Sequence, residues 1–106
     1  MIFPPYVTLD HRRIILALVK PTSDQNDPYA IAMYQQGRQN ELRRFNKWRD
    51  KYLPYQVELE QVEDMGHWVN KNTKHYWSFR ILNKGRKFRF YFEDPNEAIN
   101  FKMRFG

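Results

Sequence analysis

The chain has 106 residues, close to the commonest size of a single domain, and it contains no cysteine. The missing thiols exclude disulfides, thiolate zinc sites and a cysteine nucleophile, and the formal net charge of +6 favours contacts with polyanions without requiring one. We predict a single domain over residues 1–106.

The opening residues have neither the basic segment nor the long apolar segment of a secretory signal, which predicts a cytoplasmic protein. The longest apolar run, from Ile14 to Val19, is far shorter than the roughly 20 residues of a membrane-spanning helix. We expect an intracellular protein that does not enter a membrane.

Residues 13–19, which are apolar after Arg13, predict the first strand, buried on both faces. A short helix capped by Asp10 is the alternative, since so short a run has no diagnostic period. The polar residues 21–27 predict a loop after either element.

A long helix is predicted from Asp27, as its N-cap, and Pro28, at its first position, to the residues before Pro54. Apolar residues recur in it at steps of three and four, with one gap near Gly37, where the pattern favours a kink or a close packing contact. The stripe consists of Ile31, Tyr34, Leu42, Phe45, Trp48 and Tyr52.

The period then changes to two, which predicts strands. Residues 55–60 alternate apolar and polar side chains, residues 65–74 are expected to be irregular, and residues 77–92 form a β-hairpin with its turn at 83–86. The core side of the hairpin carries aromatic and aliphatic residues, namely Trp77, Phe79, Ile81, Phe88, Phe90 and Phe92.

A short final helix is predicted from its start signals, Asp94 as the cap, Pro95 at the first position and Glu97 three residues after the cap. Its apolar stripe, which includes Phe101 and Phe105, should dock on the sheet. We predict an α+β fold with a largely antiparallel sheet of three to four strands. A ferredoxin-like variant is an alternative, although no strand is expected after the last helix.

The polar side of the hairpin combines rings with cations, which is the chemistry of single-stranded nucleic acid binding on a sheet. Its residues are Tyr76, Ser78, Arg80, Lys87, Arg89 and Tyr91. The alternative is an ordinary solvated face, in which Glu58 and Glu60 of a neighbouring strand form ion pairs with Arg80 and Arg89.

Two further features allow a binding role. Arg43, Arg44 and Lys47 form a basic stretch of the long helix that could follow phosphates, or simply complement the helix dipole in solvent. Trp68 either packs into the core or anchors a partner protein.

The sequence has no catalytic motif, and we predict neither an enzyme nor a bound cofactor. Its three histidines lack metal-ligand spacing, so we predict no metal site. The only candidates for acid–base chemistry are Glu63, Asp64 and His67, which are close together in the predicted loop.

Two resemblances bear on function. Residues 83–98 are similar to the strand-to-helix passage of RNA-recognition motifs, but Lys87 and Arg89 occupy the positions where that family stacks bases on rings. Residues 90–106 resemble the ends of short uncharacterised proteins of large tailed phages, especially those of marine cyanobacteria. This second resemblance implies a bacterial host cell as the location and no defined activity.

We predict from these observations a non-catalytic binding or regulatory module that acts through a protein partner or by self-association. The alternative is a single-stranded nucleic-acid-binding protein that uses the polar side of the hairpin. A small enzyme is a third hypothesis.

Overall fold

The computed structural model describes residues 3–17, 28–60 and 62–106. These residues form an α+β fold of five strands, three α-helices and a short 3-10 turn at Asn83–Gly85. In chain order the elements are β1 (Val7–Asp10), β2 (Arg13–Leu16), α1 (Pro28–Tyr52), β3 (Tyr55–Glu60), α2 (Met65–Asn72), β4 (Trp77–Leu82), β5 (Lys87–Phe92) and α3 (Pro95–Phe105).

The five strands form one mixed sheet in the order β1-β2-β4-β5-β3. The pair β2 and β4 is parallel, and the other three neighbouring pairs are antiparallel. The predicted hairpin is confirmed as β4 and β5, with Trp77 opposite Phe92 and Leu82 opposite Lys87. The predicted count of three to four strands is wrong because β1 was not foreseen, and the strand order differs from a ferredoxin-like sheet.

β1 and β2 are joined by a turn of two residues, His11 and Arg12. His11 has φ of 56°, in the left-handed region that glycine and asparagine usually occupy. β2 begins at Arg13 as predicted, whereas the rest of the predicted strand beyond Ala17 lies outside the described residues. The predicted loop 21–27 and the predicted cap Asp27 lie outside them as well.

α1 covers one face of the sheet with the apolar stripe predicted from the sequence. Its Phe45 and Trp48 are buried in a cluster with Ile14 of β2 and Tyr91 of β5. The side chain of Ile31, at the other end of the stripe, lies outside the described part of the chain.

α1 continues through Gly37, and a Cβ placed there would have no atom within 4 Å. The predicted close packing contact at this glycine is therefore wrong. Because glycine in a helix interior is about 1 kcal/mol less favourable than alanine, we expect Gly37→Ala to raise the free energy of unfolding by about that amount, measured by urea denaturation. An unchanged or lowered stability would show that this segment of α1 is not helical in solution.

The opposite face of the sheet is covered by α2 and α3. Phe101 of α3 and Val69 of α2 are buried in a cluster with Trp77, Phe90 and Phe92 of the hairpin. α2 corrects the prediction of an irregular stretch at residues 65–74, since Met65 and Val69 are one helical turn apart and both are buried.

α3 starts as the sequence predicts. The Asp94 side chain accepts a hydrogen bond from the Glu97 backbone N–H, and Pro95 is at the first position. The Glu97 carboxylate turns away from the cap and accepts the backbone N–H groups of Lys74 and His75 instead, at 2.6 and 3.3 Å. Glu97 thereby ties α3 to the segment that enters β4.

Candidate functional site

The rings proposed for base stacking on the hairpin are covered by α1 or by the N-terminal segment. Tyr91 is 1% exposed, and the Arg49 guanidinium carbon lies 3.9 Å from the centre of its ring. Tyr76 is half-buried and packs edge-on against Phe3, with ring centroids 5.2 Å apart. The prediction of an open stacking face is wrong for these two rings, because the apolar stripe of α1 needs this side of the sheet as its partner.

The predicted ion pair across the sheet is present for one of the two arginines. β3 lies beside β5, and Arg89 donates two hydrogen bonds to the Glu58 carboxylate, at 2.9 and 3.2 Å. Hydrogen bonding to the Tyr91 side chain, and then to Glu58, raises the pKa of Arg89. Arg80, directly opposite Arg89 on β4, has no ion pair within the described residues.

The basic stretch of α1 is mostly a solvent-exposed face. Arg44 contacts Glu41 at 3.1 Å and lies over the ring of Tyr6, while Arg43 and Lys47 are exposed. Lys87, at the start of β5, is half-buried. Lys87 lies on the same face of the hairpin as Arg89 and Arg80, since residues two apart on β5 share a face and Arg89 is opposite Arg80.

Trp68 lies on α2 and is half-buried against α3, with its ring centroid 5.6 Å from that of Phe105 and 6.1 Å from that of Phe101. This placement matches the core alternative for Trp68. Glu63, Asp64 and His67 are exposed around the start of α2.

One group of side chains among the described residues has metal-ligand geometry, formed by His75, Asp94 and Glu97 with ligand atoms within 4.8 Å of one another. Both carboxylates already accept backbone N–H groups, Asp94 as the cap of α3 and Glu97 from the segment before β4. The cluster is therefore explained as a local network that fixes the start of α3.

A different site opens where β2 and β4 separate. Within the described residues the two strands pair only at Arg13 and Trp77, where the Trp77 N–H donates to the Arg12 carbonyl at 3.1 Å. The next acceptor along β2, the Ile14 carbonyl, is bound at 2.9 Å by the Ser78 hydroxyl. Beyond Ser78 the strands diverge and leave a cleft beneath α1.

We call this space the arginine cleft. It has a volume of about 350 Å³, within the ordinary range for ligand sites. Its walls come from β2, β4 and α1, and its polar lining consists of three arginines, an amide and a hydroxyl: Arg13, Arg49, Arg80, Asn46 and Ser78.

Arg49 is the most unusual residue of the arginine cleft, because a guanidinium is rarely buried without an acceptor. The residue is 4% exposed, its nearest carboxylate oxygen is Oδ1 of Asp50 at 3.9 Å, and its Nε–H has no hydrogen-bond partner. Desolvation lowers the pKa of Arg49. Tyr91 and Asp50 act in the opposite direction and raise it, whereas the positive charges of Arg80 and Arg89 lower it further.

The unsatisfied polar atoms of the molecule concentrate here. In the part of the chain that the structure describes, five buried side-chain nitrogen or oxygen atoms have no hydrogen-bond partner. Three of them belong to residues of the arginine cleft, namely Arg13, Asn46 and Arg49. Such groups are costly to bury unpaired, so this part of the structure carries a local energetic cost.

No separate role for Arg49 is predicted from the sequence. The signal that identifies it is its position four residues after Phe45 and three before Tyr52, on the buried stripe of α1. A charged residue on an apolar helix stripe must find a partner or a ligand inside the fold.

The edge of β4 also faces the region where β2 has departed. On the β5 side, the Tyr76 carbonyl accepts the Glu93 N–H. On the β2 side, the Trp77 N–H donates to the Arg12 carbonyl. Because backbone groups alternate between the two sides of a strand, the N–H and C=O groups of Phe79 and Ile81 are directed to the β2 side. The side chain of Ile81 is 57% exposed, and that of Phe79 is half-buried.

Comparison with protein-family models, curated proteins and solved structures finds no match for this chain. The resemblance to tailed-phage proteins therefore stays a prediction. None of the helices in the described part of the chain has both the length and the apolar character needed to cross a bilayer.

Proposed function

We propose that the protein is a non-catalytic binding module that acts through a protein partner, an extended segment of which adds as a strand to the edge of β4. The observation that carries this proposal is the early separation of β2 from β4, after which no described residue pairs with the backbone groups of Phe79 and Ile81 on that side. Strand addition at an exposed sheet edge is a common mode of peptide recognition, because backbone hydrogen bonds supply the affinity.

The two faces of this edge favour a partner segment of alternating character. Successive side chains of an added strand point to opposite faces of the sheet. On one face they would meet Phe79 and the exposed Ile81, which suit apolar residues. On the other face they would meet Arg49 and Arg80, which suit acidic residues. The net charge of +6 favours an acidic partner in the encounter as well.

The alternative of single-stranded nucleic acid binding has less support from the geometry. Stacking needs accessible rings, and Tyr91 is fully buried while Tyr76 is held against Phe3. A substitution of Tyr91 would also remove a core residue, so it cannot serve as a test of binding.

The proposal is tested by titrating the protein with a labelled peptide that alternates valine and glutamate, followed by fluorescence anisotropy. We expect saturable binding that is lost when alternate peptide nitrogens are methylated, since methylation removes the donors of the new strand. A peptide that alternates valine and lysine should not bind, because its charge has the wrong sign.

Two variants at one position separate backbone from side-chain effects. Ile81→Pro removes an N–H that points away from β5 and should weaken peptide binding at least about tenfold, whereas Ile81→Ala keeps this N–H and should weaken it less. Equal binding by Ile81→Pro and the wild type would overturn strand addition.

Oligonucleotide binding that persists at physiological salt would favour the nucleic-acid alternative, and concentration-dependent dimerisation in sedimentation would favour self-association.

A further inference from the structure

We propose that the arginine cleft contains a carboxylate-binding site centred on Arg49, in which the N–H edge of the guanidinium receives a planar carboxylate between α1 and the diverging strands. This inference rests on the proposed function only for the source of the carboxylate. The binding chemistry follows from the cleft itself.

The position of the guanidinium defines where an anion can bind. Its central carbon lies 3.9 Å from the centre of the Tyr91 ring and 5.3 Å from that of Phe45, so aromatic surface occupies one face of the group. A guanidinium donates its five N–H bonds in its own plane, around its edge. The only carboxylate near that edge within the described residues is Asp50, and 3.9 Å is too long for a hydrogen bond.

Other polar side chains of the arginine cleft also lack a partner among the described residues. Arg80 lines the same cleft without an ion pair among the described residues, and Arg13 is already held by Asp10 at 2.8 Å. The cleft thus keeps two cations, Arg49 and Arg80, that no carboxylate of the described chain neutralises at hydrogen-bond distance. Asn46, one helical turn before Arg49, contributes a further buried polar atom without a partner.

The apolar walls of the cleft favour a carboxylic acid with an aliphatic body over inorganic phosphate. A carboxylate is planar and matches the guanidinium edge through two parallel hydrogen bonds. Much of the remaining lining is apolar, with Ile14 and Leu16 from β2 and Leu42 and Phe45 from α1. Such walls suit the aliphatic part of a carboxylic acid, a part that inorganic phosphate lacks.

A carboxylate could reach the cleft from two sources, an acidic side chain of the strand added at β4 or a free carboxylic acid with a small apolar body. The free probe pentanoate tests the site without any strand addition. Its binding is followed by NMR through the Nε–H resonance of Arg49 in ¹⁵N-labelled protein. The matched neutral probe is pentanamide, and inorganic phosphate is the third ligand.

We expect a saturable shift of the Arg49 Nε–H resonance with pentanoate and none with pentanamide. Arg49→Lys keeps the charge but loses the planar fork, and it should weaken pentanoate binding about tenfold, as followed by backbone amide shifts of Ser78 and Arg80. Arg43→Met, an exposed position on the same helix, should bind like the wild type. Wild-type binding in Arg49→Lys, or phosphate binding tighter than pentanoate binding, would overturn the carboxylate site.

The two proposals fail in different ways. If pentanoate shifts the Arg49 resonance and no alternating peptide binds, the carboxylate site is retained as a site for a free acid and strand addition is rejected. If the peptide binds and Ile81→Pro weakens its binding, but neither the peptide nor pentanoate shifts the Arg49 resonance, strand addition is retained and the carboxylate site is rejected.

Discussion

Phe101→Ala is expected to lower the free energy of unfolding by about 4 kcal/mol, the range found when a large buried aromatic side chain is truncated. Phe101 is 0% exposed, and its ring centroid lies 4.6 Å from that of Phe90 and 5.4 Å from that of Phe92. The same ring contacts Phe105 and Trp68. Its removal would therefore leave a cavity at the point where α2, α3 and β5 meet.

A domain of this size is typically stable by about 5 to 15 kcal/mol, so the variant should be close to unfolding or should melt far below the wild type. Urea denaturation with circular dichroism measures the change. The control on the same helix is Met103→Ala, because Met103 is 80% exposed and its truncation should change stability by no more than about 0.5 kcal/mol. Equal stabilities of the two variants would show that α3 does not dock on the sheet as described.

The elements that the sequence predicts well are those whose signals are local. The hairpin and α3 follow from a clean period of two and from a cap, a proline and a stripe within a few residues. The structure confirms Asp94 as the cap, through the hydrogen bond from the Glu97 N–H, and confirms the hairpin, in which Phe79 is opposite Phe90. In these segments backbone preference and burial point to the same conformation.

The missed elements lack such signals. In the β1–β2 turn the residue with positive φ is His11, at 56°. Glycine and asparagine are the residues that usually signal such a turn in a sequence, and neither occupies this position. α2 starts after Asp64, which has φ of 65° and makes no side-chain cap hydrogen bond, and it contains Gly66 near its first turn. Tertiary packing of Met65 and Val69 stabilises α2 where local preference does not.

The candidate site was unpredictable for a different reason. Alternation along β5 places Phe90 and Tyr91 on opposite faces of the sheet, but it does not reveal which helix covers each face. Once α1 lies over Tyr91, the face that looked accessible becomes core and Arg49 becomes buried. The edge of β4 that has no strand partner among the described residues depends on where β2 ends its pairing, which no residue pattern within either strand specifies.

Arg49 combines a high energetic cost with a position in an open cleft, and the proposed carboxylate site would account for that combination. Burial of a charged group without a matched partner costs several kcal/mol. The contact with the Tyr91 ring offsets about 2 kcal/mol of this at a desolvated site. The remainder is a loss of stability in the ligand-free protein, which an incoming carboxylate would recover.

Arg49→Met should therefore raise the free energy of unfolding of the ligand-free protein by about 2 kcal/mol, because methionine fills much of the same space without a charge. Urea denaturation measures the change, and Arg43→Met at the exposed face of α1 should remain within about 0.5 kcal/mol of the wild type. A fall in stability for Arg49→Met would mean that the contact with Tyr91 outweighs desolvation and that Arg49 is a structural residue. In the expected case excess pentanoate should narrow the difference between Arg49→Met and the wild type, since a ligand that binds only the folded state stabilises the wild type and leaves Arg49→Met unchanged.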